Sequence, residues 1–392
     1  MNNNSIYTLQ FGLLCLSGFL FFSSFNMIIP ELPSHLTSMG GGDYKGLIIA
    51  LFTVTAGLSR PFSGKLADKV GRVPVMIVGA LVSGVAAVLY PFATTVFAFM
   101  CLRMFHGFST GFKPTGTSAY VADIIPYNKR GEAMGVLGFF GSMGMAAGPA
   151  LGPLIVKEFS LDVMFYASGF CAVLSVLILA GMKETLQPKE KLQWNHFVVK
   201  KDEIYEPKVL SPSIVMMLVV FAFGAIITVV PDISDQMKLS NRGLFYTYFT
   251  VASLVVRIVA GKASDKYGRV PVLKIGSGIL LIALILLANA QTPVILLSTA
   301  VLYGIGVGLS NPTIFAWTID LSDPKHRGRG MATMYIFLEI GVGLGALLGG
   351  WVYGNDLNNI SWVFYLCAVS MCGALVYLYS KTVRNLPTYD HL

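Results

Sequence analysis

The sequence predicts an all-α membrane protein with twelve transmembrane helices in two pseudo-symmetric six-helix bundles. Three observations lead there. The 392 residues are 55 % apolar and only 12 % charged, with a mean hydropathy of +0.69, whereas soluble domains carry roughly 25 % charge. Apolar runs of about 20 residues recur along the whole length, each enough to cross about 30 Å of hydrocarbon as a helix; barrel strands would be half as long and would alternate. Finally, one charged stretch occurs twice. Residues 64–75 read GKLADKVGRVPV and residues 261–272 read GKASDKYGRVPV, identical at nine of twelve positions and 197 residues apart.

The spans are expected near 7–30, 46–66, 73–92, 95–122, 133–156, 161–181, 213–231, 243–263, 270–289, 293–319, 330–353 and 360–380. This gives an N-terminal bundle over 1–182, a polar linker over 183–212 and a C-terminal bundle over 213–392. The first run follows an uncharged stretch with no small-residue cleavage site, so it reads as a retained helix. Within the linker, a short amphipathic surface helix is expected around Trp194 to Val199.

The net charge of +8 would suit a nucleic-acid partner if it were clustered on one soluble face. Instead most lysines and arginines fall in alternate connectors, while the opposite connectors hold Lys45, Lys157, Lys238 and Arg242. By the positive-inside rule this places both termini and the linker in the cytoplasm; the inner membrane is the expected location. The cysteines, Cys15, Cys101, Cys171, Cys367 and Cys372, lie in apolar spans without CxxC spacing and read as packing residues. No nucleophile elbow, HExxH, P-loop or zinc spacing is present, so neither an enzyme nor a cofactor or metal is expected.

The first span ends in Pro30-Glu31 and the seventh in Pro231-Asp232, an offset of 201 that reads as a matched pair of carboxylates beyond a longer first loop. They read as helix-end charges or as proton-coupling candidates. In the duplicated elbow, Arg60, Gly64 and Asp68 share one helix face, as do Arg257, Gly261 and Asp265. Gly64 would admit a close helix approach, and Gly71 with Pro74 would turn the chain into the third span, as Gly268 would in the second copy. Asp123 with Arg130 and, 197 residues on, Asp320 with Arg327 read as charged latches at the ends of spans 4 and 10.

These motifs resemble the major facilitator superfamily over essentially the whole chain. Its signature between helices 2 and 3 is matched by Gly64, Asp68, Gly71 and Arg72, with a full echo at Gly261, Asp265, Gly268 and Arg269. The resemblance implies two bundles rocking around a central site built mainly from helices 1, 4, 7 and 10, and a monomer. It also implies that Asp68 caps helix 11 and that Arg72 pairs with Asp123. Arg103 followed by Gly107 resembles the family's helix 4 motif, with His106 where glutamine is more usual. At 100° per residue, His106 and Lys113 lie about 60° and 80° from Arg103, a narrow basic face on one membrane helix. An arginine at that depth is costly unless it faces a cavity. His106 and Lys113 could instead be a hydrogen-bonded core residue and a snorkelling lysine.

Span 5 carries Gly144, Gly148, Pro149 and Gly152. As physics this is a small-residue packing face; as a motif it resembles exporters of the drug:proton antiporter type. In span 10, Asn311-Pro312 offers a freed carbonyl and an amide at a broken helix, or an ordinary proline kink. The leading expectation is therefore a secondary transporter exporting a small organic molecule by proton antiport, with Asn26, Arg103, His106, Lys113 and Asn311 in the substrate cavity. A facilitator or proton-linked importer of a sugar or metabolite is the alternative, and a non-transporting membrane sensor a further one. The carboxylate that such antiporters hold in helix 1 is replaced by Asn26, which leaves Glu339, Glu31 and Asp232 as coupling candidates. Arg60 and Glu339, about 12 and 15 Å into the membrane from the same side, are expected to pair as a cytoplasmic gate.

Overall fold

The computed structural model describes residues 8–125, 130–193, 196, 206–322 and 327–380. The amphipathic helix expected near Trp194 lies outside the described residues, as do the side chains of Arg130 and Arg327. Among the described residues twelve long helices follow one another: α1 Leu9–Ile28, α2 Lys45–Lys69, α3 Arg72–Leu89, α4 Val96–Ile124, α5 Arg130–Glu158, α6 Leu161–Ala180, α7 Leu210–Gln236, α8 Leu244–Tyr267, α9 Arg269–Ala288, α10 Pro293–Leu321, α11 Arg327–Tyr353 and α12 Ile360–Tyr379. Every helix end lies within five residues of its sequence expectation. Ten of the helices are long and apolar enough to cross a membrane, and α8 joins them as a span bent by 48° after Arg257. The exception is α4, the helix that carries Arg103, His106 and Lys113.

Local chemistry fixes several starts. Thr8, Thr95, Ser160 and Thr292 each accept, through the side-chain oxygen, the N–H three residues on, which caps α1, α4, α6 and α10. Thr95 and Thr292 are 197 apart, so the repeat extends to its caps. The surface is inverted relative to a soluble protein: Leu58, Phe97, Phe170, Leu177, Val255, Trp351 and Val376 are exposed, while many serines and threonines are buried. Apolar side chains outside and small polar ones inside are what a lipid solvent selects.

The chain divides into two compact units, one of Met1–Gly40 with Val54–Lys200, the other of Gly41–Thr53 with Lys201–Leu392. The first stretch of α2 is thus counted with the second unit. In the first unit α1 packs on α5 and α6, and α3 on α4 and α6. In the second, α7 packs on α11 and α12, and α9 on α10 and α12. The glycine faces explain the closest pairs. A Cβ on Gly144, Gly148 or Gly152 would overlap the carbonyl oxygens of Phe19, Ser23 and Met27, so α5 lies directly on the backbone of α1. Gly341 and Gly345 of α11 meet Met217 and Phe221 of α7 in the same way.

That packing revises one expectation. Gly148 meets Ser23 as Gly345 meets Phe221, so α1 and α7 are related by 198 residues and Glu31 has Val229, not Asp232, as its counterpart. The two carboxylates also sit differently. Glu31 follows the end of α1 and precedes a seven-residue helix, Leu32–Ser38, whereas Pro231 and Asp232 lie inside an unbroken α7. A proline in the first unit's loop and a proline tolerated within a helix merely look alike in sequence.

Candidate functional site

In the first unit the polar side chains of α4 point into a hydrogen-bonded chain. Arg103 is 1 % exposed, and its Nη1 donates to the Tyr90 hydroxyl at 3.0 Å. Tyr90 Oη lies 3.3 Å from His106 Nδ1, and His106 Nε2 lies 3.1 Å from Ser83 Oγ. Ser83 then reaches Ser24, and Ser24 reaches Ser168, which donates to the Ser24 carbonyl at 2.8 Å. The direction of this chain follows from its first member, because a guanidinium can only donate. Tyr90 accepts from Arg103, and its own buried proton has His106 Nδ1 as the acceptor. His106 is therefore the Nε2–H tautomer, donating to Ser83. The hydroxyl ring of Tyr90 is held by stacking on Phe165 at 5.0 Å. Arg103 and His106 thus belong to a polar core that ties α1, α3, α4 and α6 together.

Lys113, ten residues on, lies outside that network. Its side chain is buried and its ammonium sits 4.9 Å from the centroid of Phe21. Asn26 turns its amide Nδ2 back onto the Phe22 carbonyl at 2.8 Å. Arg60 is buried in α2 and Glu31 is buried beyond α1.

In the second unit, α10 runs without a break through Pro312, so the span is not interrupted there. Asn311 Oδ1 and Ser310 Oγ are buried without a hydrogen-bond partner among the described residues. Glu339 is buried within α11, and Arg257 stands in α8. Asp232 is the centre of a cluster that sequence reasoning missed. It forms an ion pair with Lys45, accepts from Tyr353 Oη at 2.8 Å, and shares Lys45 with Asn355 Oδ1 at 2.7 Å. Lys45 had signalled only the sign of a connector; nothing in its spacing to Asp232, 187 residues away, marks the pair.

The two elbows repeat as charge triangles. Arg72 bonds Asp68 at 2.8 Å and Asp123 at 3.2 Å, and Arg269 bonds Asp265 and, at 2.9 Å, Asp320. The Asp68 side chain is 70 % exposed. Gly71 and Gly268 have φ of +148° and +88°, conformations that glycine adopts without strain. Gly64 and Gly261 are different: a Cβ on either would meet nothing within 4 Å, so close helix approach is not what calls for glycine there. A second unforeseen residue completes the first elbow. Glu184, in the polar segment after α6, accepts the N–H groups of Arg72 and Val73, both at 3.0 Å, at the start of α3. Farther along, Glu190 bonds Lys69 at 2.8 Å and His196 at 2.9 Å.

Buried polar chains among helices long and apolar enough to cross a membrane, with charge triangles at their ends, belong to a multi-pass membrane protein. The sequence profile of the Major Facilitator Superfamily matches residues 14–256 and again 212–389, and the chain belongs to that family. It is 28 % identical over 379 residues to the multi-drug resistance efflux pump PmrA of Streptococcus pneumoniae, covering 92 % of each chain. It is 26 % identical over 351 residues to the multidrug resistance protein MdtG of Escherichia coli, covering 86 % of each. Among solved structures, a D-xylose-proton symporter matches with a TM-score of 0.79 at 15 % identity over 94 % of this chain and 96 % of that one. The human organic anion transporter MFSD10 matches at 0.73 with 18 % identity over 94 % and 98 %. At such identities these two show the shared fold.

Proposed function

We propose that this secondary transporter exports a small organic molecule across the inner membrane in exchange for protons, as a monomer with both termini in the cytoplasm. The observation that carries the direction is the match to two multidrug efflux proteins over nearly the whole of each chain; the Gly144–Pro149–Gly152 face of α5, pressed on the α1 backbone, fits it. Substrate is met by Asn26, Lys113 and Asn311, with Arg103 and His106 behind them as the polar core that holds α4 in place. Glu339 serves as the coupling carboxylate: it is buried mid-helix in α11, where a charge is costly without a role. Of the two remaining coupling candidates, Glu31 lies beyond the end of α1 and Asp232, inside α7, is committed to Lys45.

Transport driven by an imposed pH gradient into proteoliposomes tests this. Wild-type protein should accumulate drug against its gradient only while the proton gradient lasts, and Glu339→Gln should leave exchange but abolish accumulation. Accumulation with unchanged pH dependence in Glu339→Gln would remove Glu339 from the mechanism.

A further inference from the structure

The three basic residues of α4 are not equivalent, and the difference points to a ligand. Arg103 is answered by Tyr90 and His106 by Tyr90 and Ser83. Lys113 is 2 % exposed, and among the described residues its ammonium has no ion pair or hydrogen bond, only the face of Phe21 at 4.9 Å. Cation–π contact offsets part of the cost of burying a charge, but a buried ammonium is ordinarily paired.

The repeat shows that the fold does not need a lysine there. Gly79 of α3 faces Lys113 and Ser109 of α4, and 197 residues on Gly276 of α9 faces Ser310 and Gly306 of α10. The helices cross in the same register in both units, and a serine fills the place in the second. The lysine is therefore an addition to a packing position that a small residue satisfies. Beside it, Phe21 is in ring contact with Phe22 at 5.5 Å and with Phe25 at 5.9 Å; the latter two are partly exposed. A cation lacking an anion thus stands at the end of an aromatic face.

We propose that Lys113 is the anion-recognising residue of the substrate site, taking the carboxylate or other acidic group of an amphiphilic molecule whose apolar body lies along the partly exposed Phe22 and Phe25. This deepens the transport reading and rests on it only in calling the ligand a substrate. It narrows the substrate class to anions and zwitterions, and it makes Lys113 a specificity residue.

The test uses purified full-length protein in nanodiscs of zwitterionic lipid and three probes sharing one naphthalene body: 2-naphthoate, 2-naphthamide and 2-naphthylmethylammonium, with binding read by calorimetry. Wild type should bind naphthoate at least about tenfold more tightly than either other probe, as a charge-assisted contact in a dry site implies. Lys113→Ser, the residue of the second unit, should lose that preference while keeping its naphthamide affinity, and Lys113→Arg should retain the preference. Equal affinities in wild type, or an anion preference that survives Lys113→Ser, overturn the proposal. So does equal competition by phosphatidylglycerol, which would assign the cation to a lipid headgroup. If Lys113→Ser does not fold, Lys113→Gln takes its place, and the wild-type series decides in either case. Binding is read here without flux. Loss of proton-driven export would end the export reading and leave the anion site standing, and loss of anion preference would do the reverse.

Discussion

His106 occupies a position whose demands are those of one acceptor and one donor: Tyr90 presents a proton to Nδ1 and Ser83 an oxygen to Nε2. A glutamine amide offers the same pair, so His106→Gln should retain transport and stability. His106→Leu strands a buried tyrosine hydroxyl and should lower stability by about 1–3 kcal/mol, seen as a drop in the midpoint of thermal unfolding. Lys45 and Asp232 allow a sharper cycle. Breaking a buried pair by removing one partner costs about 3–5 kcal/mol, while replacing both is far milder. Lys45→Met and Asp232→Asn should each destabilise, and the double variant should recover much of the loss; additive losses would show that the pair is not coupled. The residue types in α4 were legible because charge inside an apolar run is conspicuous. Their partners were not, because Tyr90, Ser83, Ser24 and Ser168 come from other helices and carry no mark in the sequence.

At the scale of elements, the elbow motif was visible through its repetition, and the structure gives it a third member. Glu184 gathers four backbone N–H groups, those of Arg72, Val73, Thr185 and Leu186, and sits where the positive end of α3 favours a carboxylate. Glu184→Ala should cost about 1–2 kcal/mol as a lost helix cap, again read by thermal unfolding. Sequence inspection classed the segment only as a polar linker, since a carboxylate that caps a distant helix has no local spacing rule. Beyond it, hydrogen bonds from Lys69 and then His196 hold the Glu190 carboxyl below the usual carboxylate range. A carboxylate lowered in the folded state adds stability at neutral pH and loses it as pH falls through that lowered value. The Glu190 amide, which bonds the Lys69 carbonyl at 2.8 Å, should therefore keep its exchange protection through mildly acid pH and lose it only below the normal carboxylate range. Loss near neutrality would contradict the pairing. Helix limits were readable because apolar length and capping residues are local properties. The matching of Glu31 with Asp232 failed because a Pro-acid dipeptide carries no information on helix register, which the Gly148 and Gly345 contacts set.

For the whole molecule, duplication is the organising fact: the Thr95 and Thr292 caps, the elbows, the glycine faces and the Gly79 and Gly276 crossings recur at 197 residues. Where the copies differ at a packing position that a small residue satisfies, as at Lys113 and Ser310, function has the more direct claim, because the partner copy folds without the difference. Asp68 belongs to this scale. It is exposed and paired with Arg72 at the edge of a helix junction, so Asp68→Asn should leave ligand binding in nanodiscs intact and slow transport. Loss of both together would make Asp68 a folding residue instead. The central claim is that protons drive a small molecule outward through this chain. The most direct measurement is the proton flux that a panel of anionic, zwitterionic and neutral drugs elicits in pyranine-loaded proteoliposomes under an imposed pH gradient. The account predicts drug-dependent dissipation in wild type, strongest for the anionic and zwitterionic members and absent in Glu339→Gln. Drug movement that neither responds to the gradient nor dissipates it would contradict it.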